Sequence, residues 1–289
     1  MGRKISDNSR VVGGYTLVEM LVALLVSSVL LTCILGSYIQ TSEYYRDQQI
    51  KAQVDEKARV LLDMLAFDIR MMGAGIPFYQ KNFRVGGVGL SDMPQPILTE
   101  STATRIVMRL NQEGAETVLI DQFDPNFTFT MRVLSTENIR WGDLIYISNV
   151  STGEYDGFGG TVVDISGDQV TVQPGFAASA GAVFKAGSVV HVVSPVIYEA
   201  WGDWVNRSDN RGQWAWMDKA SFSLDYLAED GVQIVLPMTV DDILNSLGRI
   251  RITATATSET PLSTGELYVG TARQEVMLRN LLISRTWLR

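Results

Sequence analysis

The chain has 289 residues, 46% of them hydrophobic, with 24 basic against 32 acidic side chains and a formal net charge of −8. That balance argues against general nucleic-acid binding, whose footprint is a basic surface. One histidine and one cysteine leave no histidine-rich zinc site and no intrachain disulfide. The first element in chain order is a short basic leader, in which Arg3, Lys4 and Arg10 outweigh Asp7. Gly13-Gly14-Tyr15-Thr16-Leu17-Val18-Glu19 follows, and then an apolar run from Met20 to Ile39, with no charge between Glu19 and Glu43.

A membrane-spanning helix needs about 20 mostly apolar residues, and Met20–Ile39 meets that length. The leader is expected on the cytoplasmic side and the remainder outside it. A carboxylate at mid-bilayer costs roughly 2.5–3.5 kcal/mol. Glu19 lies near the end of the span, where snorkelling reduces that cost. An ordinary secretory signal is cut after its apolar region; here Gly36-Ser37-Tyr38-Ile39-Gln40 offers only a weak site. Gly13-Gly14 presents an unhindered backbone to a protease. A cut after Gly14 leaves the apolar helix on the mature protein, with Tyr15 first.

These residues resemble the prepilin leader of type IV pilins and type II secretion pseudopilins. That pattern is a Gly, usually a Phe, then Thr-Leu-x-Glu and an apolar helix. Gly14, Thr16, Leu17 and Glu19 match, and Tyr15 keeps an aromatic ring where Phe is usual. The resemblance implies that a membrane prepilin peptidase cuts between Gly14 and Tyr15 and N-methylates Tyr15. It also implies that Glu19 is the acid of an assembly helix. A Glu19 facing the Tyr15 amine of another subunit would offset the burial cost of both charges. Taken alone, Glu19 fits equally a plain membrane anchor whose acid is favoured by the helix dipole.

The helical pattern continues past the span. Ile50, Val54, Ala58, Leu61, Leu65, Ile69 and Met72 recur at steps of three or four and form one apolar stripe. Asp47 with Lys51, and Asp55 with Arg59, are spaced to pair along the polar face. Gly73-Ala74-Gly75-Ile76-Pro77 stops the helix. A single helix from Tyr15 to Met72 would be roughly 87 Å long. Gly36 is its weak point, costing about 1 kcal/mol relative to Ala. It suits either local unwinding during assembly or close packing against a neighbouring helix.

From Thr104 the pattern is mostly β. Expected strands are 105–110, 117–120, 127–134, 144–148, 161–165, 169–172, 189–193, 196–200, 221–226, 249–257 and 273–281, separated by Gly/Ser/Asp-rich breaks. The clearest is Arg249–Thr257, where Ile250, Ile252, Ala254 and Ala256 alternate with polar residues, marking a sheet with one wet face. Residues 141–194 read as a small inserted barrel or sandwich. Residues 73–140 and 195–289 are expected to form the sheet that covers the long helix.

The segments 196–200, 221–231, 249–257 and 273–281, the last with Arg279-Asn280-Leu281, look like the PilW-like minor pilins. The shorter J-type minor pseudopilins share the layout. The implied fold is α+β and pilin-like. It has a leader at 1–14, a transmembrane assembly helix at 15–39, the outer half of that helix at 40–72, and an antiparallel sheet carrying the inserted β unit.

Chemistry is sparse. His191 sits in Val189-Val190-His191-Val192-Val193 and reads as one polar position on a strand. Cys33 lies in the apolar helix, which disfavours thiolate. Turn carboxylates show no calcium-loop spacing; Asp203 to Asp209 comes nearest, and no metal or cofactor is expected. Trp201, Trp204, Trp214 and Trp216 cluster among Asn206, Arg207, Asp209, Asn210 and Arg211. They suit a carbohydrate or partner patch, or rings packed between a hairpin and the sheet; the packed arrangement is the first expectation. No paired carboxylates or nucleophile–base set stands out, so a structural role rather than an enzyme is expected.

The expected protein is a minor type IV pilin. It would be held in the bacterial inner membrane with its C-terminal domain in the periplasm, then carried into a pilus, at the tip. Its expected partners are prepilin peptidase, other minor and major pilins, the inner-membrane assembly platform and membrane lipid, with no nucleic acid. The alternatives are a type II secretion minor pseudopilin and a tip adhesin.

Overall fold

A computed structural model describes residues 16–74, 76, 95–111, 114–148, 157–176, 183–209 and 212–280, with backbone alone at 148, 157–158, 174–176 and 213–216. Helix α1 runs unbroken over Leu17–Met71. It starts on a capping box: Thr16 is the N-cap, and Thr16 and Glu19 exchange side-chain and backbone hydrogen bonds. It ends at Met72, followed by Gly73 at φ +80°, a conformation that favours glycine. No residue of α1 before Asp47 is buried. Beyond it Ala58, Leu61, Leu65, Ala66 and Ile69 are almost wholly buried, each large side chain contributing about 1.5–3 kcal/mol. The sequence stripe is therefore the packed face of the outer half alone.

Among the described residues twelve strands follow: β1 Arg105–Leu110, β2 Glu116–Val118, β3 Thr130–Arg132, β4 Leu144–Ser148, β5 Gly157–Ser166, β6 Gln169–Phe176, β7 Val189–Trp201, β8 Trp204–Asp209, β9 Gly212–Asp218, β10 Ala220–Ala228, β11 Leu247–Thr257 and β12 Val269–Met277. The α+β class and the antiparallel sheets match the expectation. β10, β11 and β12 form a three-stranded antiparallel sheet. Its inner face presents Phe222, Leu224, Tyr226, Ile250, Ile252, Ala254 and Val276 to α1, in one core with Leu61, Leu65 and Ile69. The outer face carries Arg249, Arg251, Glu275 and Asp225 in a row of ion pairs.

The second sheet closes on itself at one end. β7 pairs with β4, β4 with β5, β5 with β6, β6 with β3, and β7 also with β2. A bridge between Leu119 and Val133, with Leu134 N–H donating to Val118 C=O, joins β3 back to β2. The resulting small barrel has its own core, including Leu119, Phe123, Val133, Ile145, Val162, Val172, Phe184 and Val190. Contributors begin at Ala115, ahead of the 141 start expected from sequence.

Four strand expectations are corrected. The runs 189–193 and 196–200 are one strand, β7. Its first half lines the barrel, and its second half joins β1 and β8 against α1. β8 and β9 were not expected as strands. The 127–134 strand shrinks to Thr130–Arg132, because Asp124 C=O accepts from Phe127 and Thr128 in a turn. β12 begins and ends four residues earlier than expected, at Val269–Met277 rather than 273–281. Its early residues include Gly270 and Ala272, whose small size suits the close approach to α1.

Candidate functional site: the assembly helix and its clamp

The candidate site is α1 itself. Gly14 and Tyr15, the expected cut and methylation residues, lie outside the described residues. Thr16 backbone N–H donates to Glu19 Oε2 at 2.9 Å, Thr16 Oγ1 donates to the same oxygen at 3.1 Å, and Glu19 N–H donates to Thr16 Oγ1 at 3.2 Å. Glu19 is exposed, so its carboxylate both completes the capping box of its own helix and is accessible to another chain. Leu17 to Ile39 displays one large aliphatic side chain after another to the exterior. A soluble monomer rarely shows so continuous an apolar surface, and α1 is the one described helix long and apolar enough to cross a membrane. The helix stays α-helical through Gly36, and no atom lies within 4 Å of the place a Cβ would occupy. Among the described residues, nothing packs closely at Gly36. Cys33 is exposed on the same surface.

The outer half of α1 is clamped by polar contacts. Ser263 N–H donates to Asp47 at 3.0 Å and Ser263 Oγ at 2.5 Å. Those bonds hold the Asp47 carboxyl below its usual range, aided by Arg46 and Lys51 and opposed by partial burial. Tyr268 Oη donates to Asp55 Oδ1 at 3.2 Å, and Lys51 lies over the Tyr268 ring. The expected Asp47–Lys51 and Asp55–Arg59 ion pairs do not form; both carboxylates turn to the β11–β12 connection instead. Lys57 Nζ sits 2.7 Å from Asp218 Oδ1 at the end of β9. Gly270 lets β12 approach closely: a Cβ there would lie 2.5 Å from Asp55 Oδ1 and 3.1 Å from Val54 Cγ1.

Higher on the helix, Asp68 is buried among apolar neighbours. Tyr198 Oη donates to Asp68 Oδ2 at 2.8 Å and Arg207 Nε donates to the same oxygen at 2.9 Å. Arg207 also reaches Asp209 at 3.5 Å. Burial, and then the Asp68 charge, push the Tyr198 hydroxyl well above its ordinary range. Sequence reasoning missed this cluster. Its signal was present, because Asp68 falls next to Ile69 and three residues after Leu65, on the buried stripe.

Trp201 and Trp204 face each other across the β7–β8 hairpin, whose turn uses Gly202 at φ +58°. They are 85% and 52% exposed, which corrects the expectation that these rings pack on the sheet. The side chains of Trp214 and Trp216 lie outside the described residues; their backbones belong to β9. His191 Nδ1 lies 3.1 Å from Glu116 Oε1 across the β2–β7 pair, a local strand contact. No group of metal-ligating side chains occurs among the described residues.

Residues 9–32 match the prokaryotic N-terminal methylation motif. The match covers the end of the leader, the Gly14–Tyr15 junction, Glu19 and the first half of the apolar surface. Together with the helix it supports a type IV pilin-like or pseudopilin-like precursor. Such a leader implies processing by prepilin peptidase, partners of the pilin type and anchorage through the apolar helix. No curated protein and no solved structure matches the chain.

Proposed function

We propose that the protein is a minor type IV pilin. Prepilin peptidase removes residues 1–14 and methylates Tyr15, and the apolar half of α1 holds the subunit in the inner membrane with its β domain in the periplasm. The same half then packs against the helices of other pilins during assembly. The observation that carries this reading is the methylation motif on a helix whose first half is exposed and whose second half is locked to the sheet. A helix of that kind transmits a pull on its apolar end to the whole domain. Glu19 opposite the Tyr15 amine of a neighbour would set the axial register of two helices. Buried pairs of this type act most clearly in fixing register rather than adding stability.

Mass spectrometry of filaments sheared from cells tests the assignment. Recovery at a few copies per filament, with pilus number falling when the gene is deleted, supports a minor pilin. A deletion that leaves pili intact and stops protein secretion would assign the chain to a type II secretion pseudopilus instead. The two exposed rings at the β7–β8 tip favour a second, compatible role in partner or surface binding. Trp201→Ala with Trp204→Ala separates the two: lost adhesion with normal assembly gives the rings a surface ligand, and lost assembly gives them a pilin partner.

A further inference from the structure

Among the described residues, the turn between β11 and β12 meets the first buried residue of α1, Asp47. β11 descends to Thr257 and β12 climbs from Val269, where Gly270 meets Asp55; Asn280 reaches the Met72 carbonyl at the upper end of α1. Between the two strands, Leu262 N–H donates to Glu266 C=O and Gly265 N–H to Leu262 C=O, forming a compact turn. Ser263 in that turn is tied to Asp47 by its amide and its hydroxyl. The turn therefore hangs below Tyr268 and Asp55, toward the apolar half of the helix.

Its height above the span follows from helix geometry. Asp47 is eight residues past Ile39, about 12 Å along the axis at 1.5 Å per residue. The polar layer of a bilayer is about 5–8 Å deep on each side, half the difference between total and hydrocarbon thickness, so contact requires the turn to reach about 4–7 Å below the level of Asp47. Tyr44 and Tyr45, 61% and 65% exposed, lie between the two levels, at the depth where tyrosine rings favour a membrane interface. Pro261 and Leu267 are exposed on the same turn, and no lysine or arginine occurs from 258 to 268. Trp201 and Trp204 are higher: Trp204 pairs with Asp218, which Lys57 contacts, about 27 Å above Ile39.

We propose that the 261–267 turn is a membrane foot, resting on the headgroups of the outer leaflet of the inner membrane before assembly. The surface is continuous with the span and with Tyr44 and Tyr45, and it offers Pro261, Leu267 and hydroxyl groups, with Glu266 as its charged side chain, which suits a zwitterionic phospholipid surface rather than an anionic one. The foot fixes the height of the β domain and limits its tilt, so the domain waits in one orientation. The proposal rests on the reading that residues 17–39 lie in a bilayer.

The test uses the full chain in phospholipid nanodiscs holding one copy each, with bimane attached at single cysteines. Native Cys33 reports the span; Thr264→Cys, Tyr45→Cys and Val232→Cys, each with Cys33→Ala, report the foot, the interface and the upper pole. A headgroup-linked nitroxide is expected to extinguish the label at 264 as fully as the label at 45, and to leave 232 bright. An acyl-chain nitroxide is expected to extinguish Cys33. If Cys33 is quenched but 264 stays as bright as 232, the foot is wrong and the anchor stands. A bright Cys33 removes the anchor and the foot together. Quenching at 264 that appears only with several copies per disc assigns the turn to another subunit and overturns the lipid contact.

Discussion

Tyr198 of β7 donates its hydroxyl to Asp68 of α1 at 2.8 Å, and Arg207 of β8 closes the triangle at 2.9 Å from the same carboxylate oxygen. The triangle is buried at the junction of the helix with both sheets. Apolar contacts allow a helix to slide or rotate at modest cost; a buried ion pair has one good geometry. The cluster therefore helps fix the helix on the domain, together with the Asp47, Asp55 and Lys57 contacts nearer the apolar end.

Asp68→Ala is expected to destabilise the domain by about 3 kcal/mol, because Arg207 loses a buried counter-charge. Tyr198→Phe removes one hydrogen bond and should cost about 1 kcal/mol. Denaturant unfolding of the detergent-solubilised full chain, followed by near-UV circular dichroism, measures both. Equal costs would contradict the assignment of the larger share to the ion pair.

Gly270→Ala is expected to cost about 1–2 kcal/mol, since its methyl group would press on Asp55 and Val54 and lift the helix from β12. The Tyr268–Asp55 bond should weaken with it. Faster amide exchange confined to residues 50–58 and 268–272 would confirm the local cause; unchanged exchange there would refute it.

The Asp47 clamp carries a pH signature. Its folded carboxyl titrates below the unfolded value of about 3.9, so its contribution is complete above that value and is lost as pH falls through the folded one. Protection of the Ser263 amide, corrected for intrinsic exchange, should hold from pH 7 to about pH 4 and fall below it. Asp47→Asn should show weak protection at every pH. Global acid unfolding is less diagnostic, because Lys57 holds Asp218 down, and Arg132 holds Asp168 down, in the same direction.

Glu19→Gln separates the capping contacts of that residue from the charge pairing proposed for it. Glutamine still accepts from Thr16, so the helix cap, worth about 1 kcal/mol, is largely kept. The charge is lost. Leader cleavage is expected to continue while incorporation into filaments falls sharply, read by immunoblot of sheared fibres. Normal incorporation would remove the role of charge pairing.

Much of this is legible in the sequence. β11 shows its alternation openly, because one face is buried and the other wet. β7 was harder, since Ser194-Pro195 reads as a break. Arg109, its register partner, gives its N–H to Pro96 and its C=O to Gly73, so it exchanges no bond with Pro195. On the other side the pairing with β4 ends at Val193 and the pairing with β8 begins at Val196. The missing proline donor thus falls where the strand changes partners and needs none. β12 was misplaced because Gly270 and Ala272 look like connection residues, whereas helix contact demands their small size. Asp47 and Asp68 were read as solvent-facing or passed over, since partners more than a hundred residues away leave no local pattern.

The central claim is that the apolar helix begins the mature chain and is exposed for assembly. Intact-mass and N-terminal peptide mass spectrometry of the membrane-extracted protein tests it most directly. The account predicts a chain that begins at N-methylated Tyr15 and lacks the first fourteen residues. A membrane-derived protein that retains its leader, in cells with an active prepilin peptidase, would contradict it.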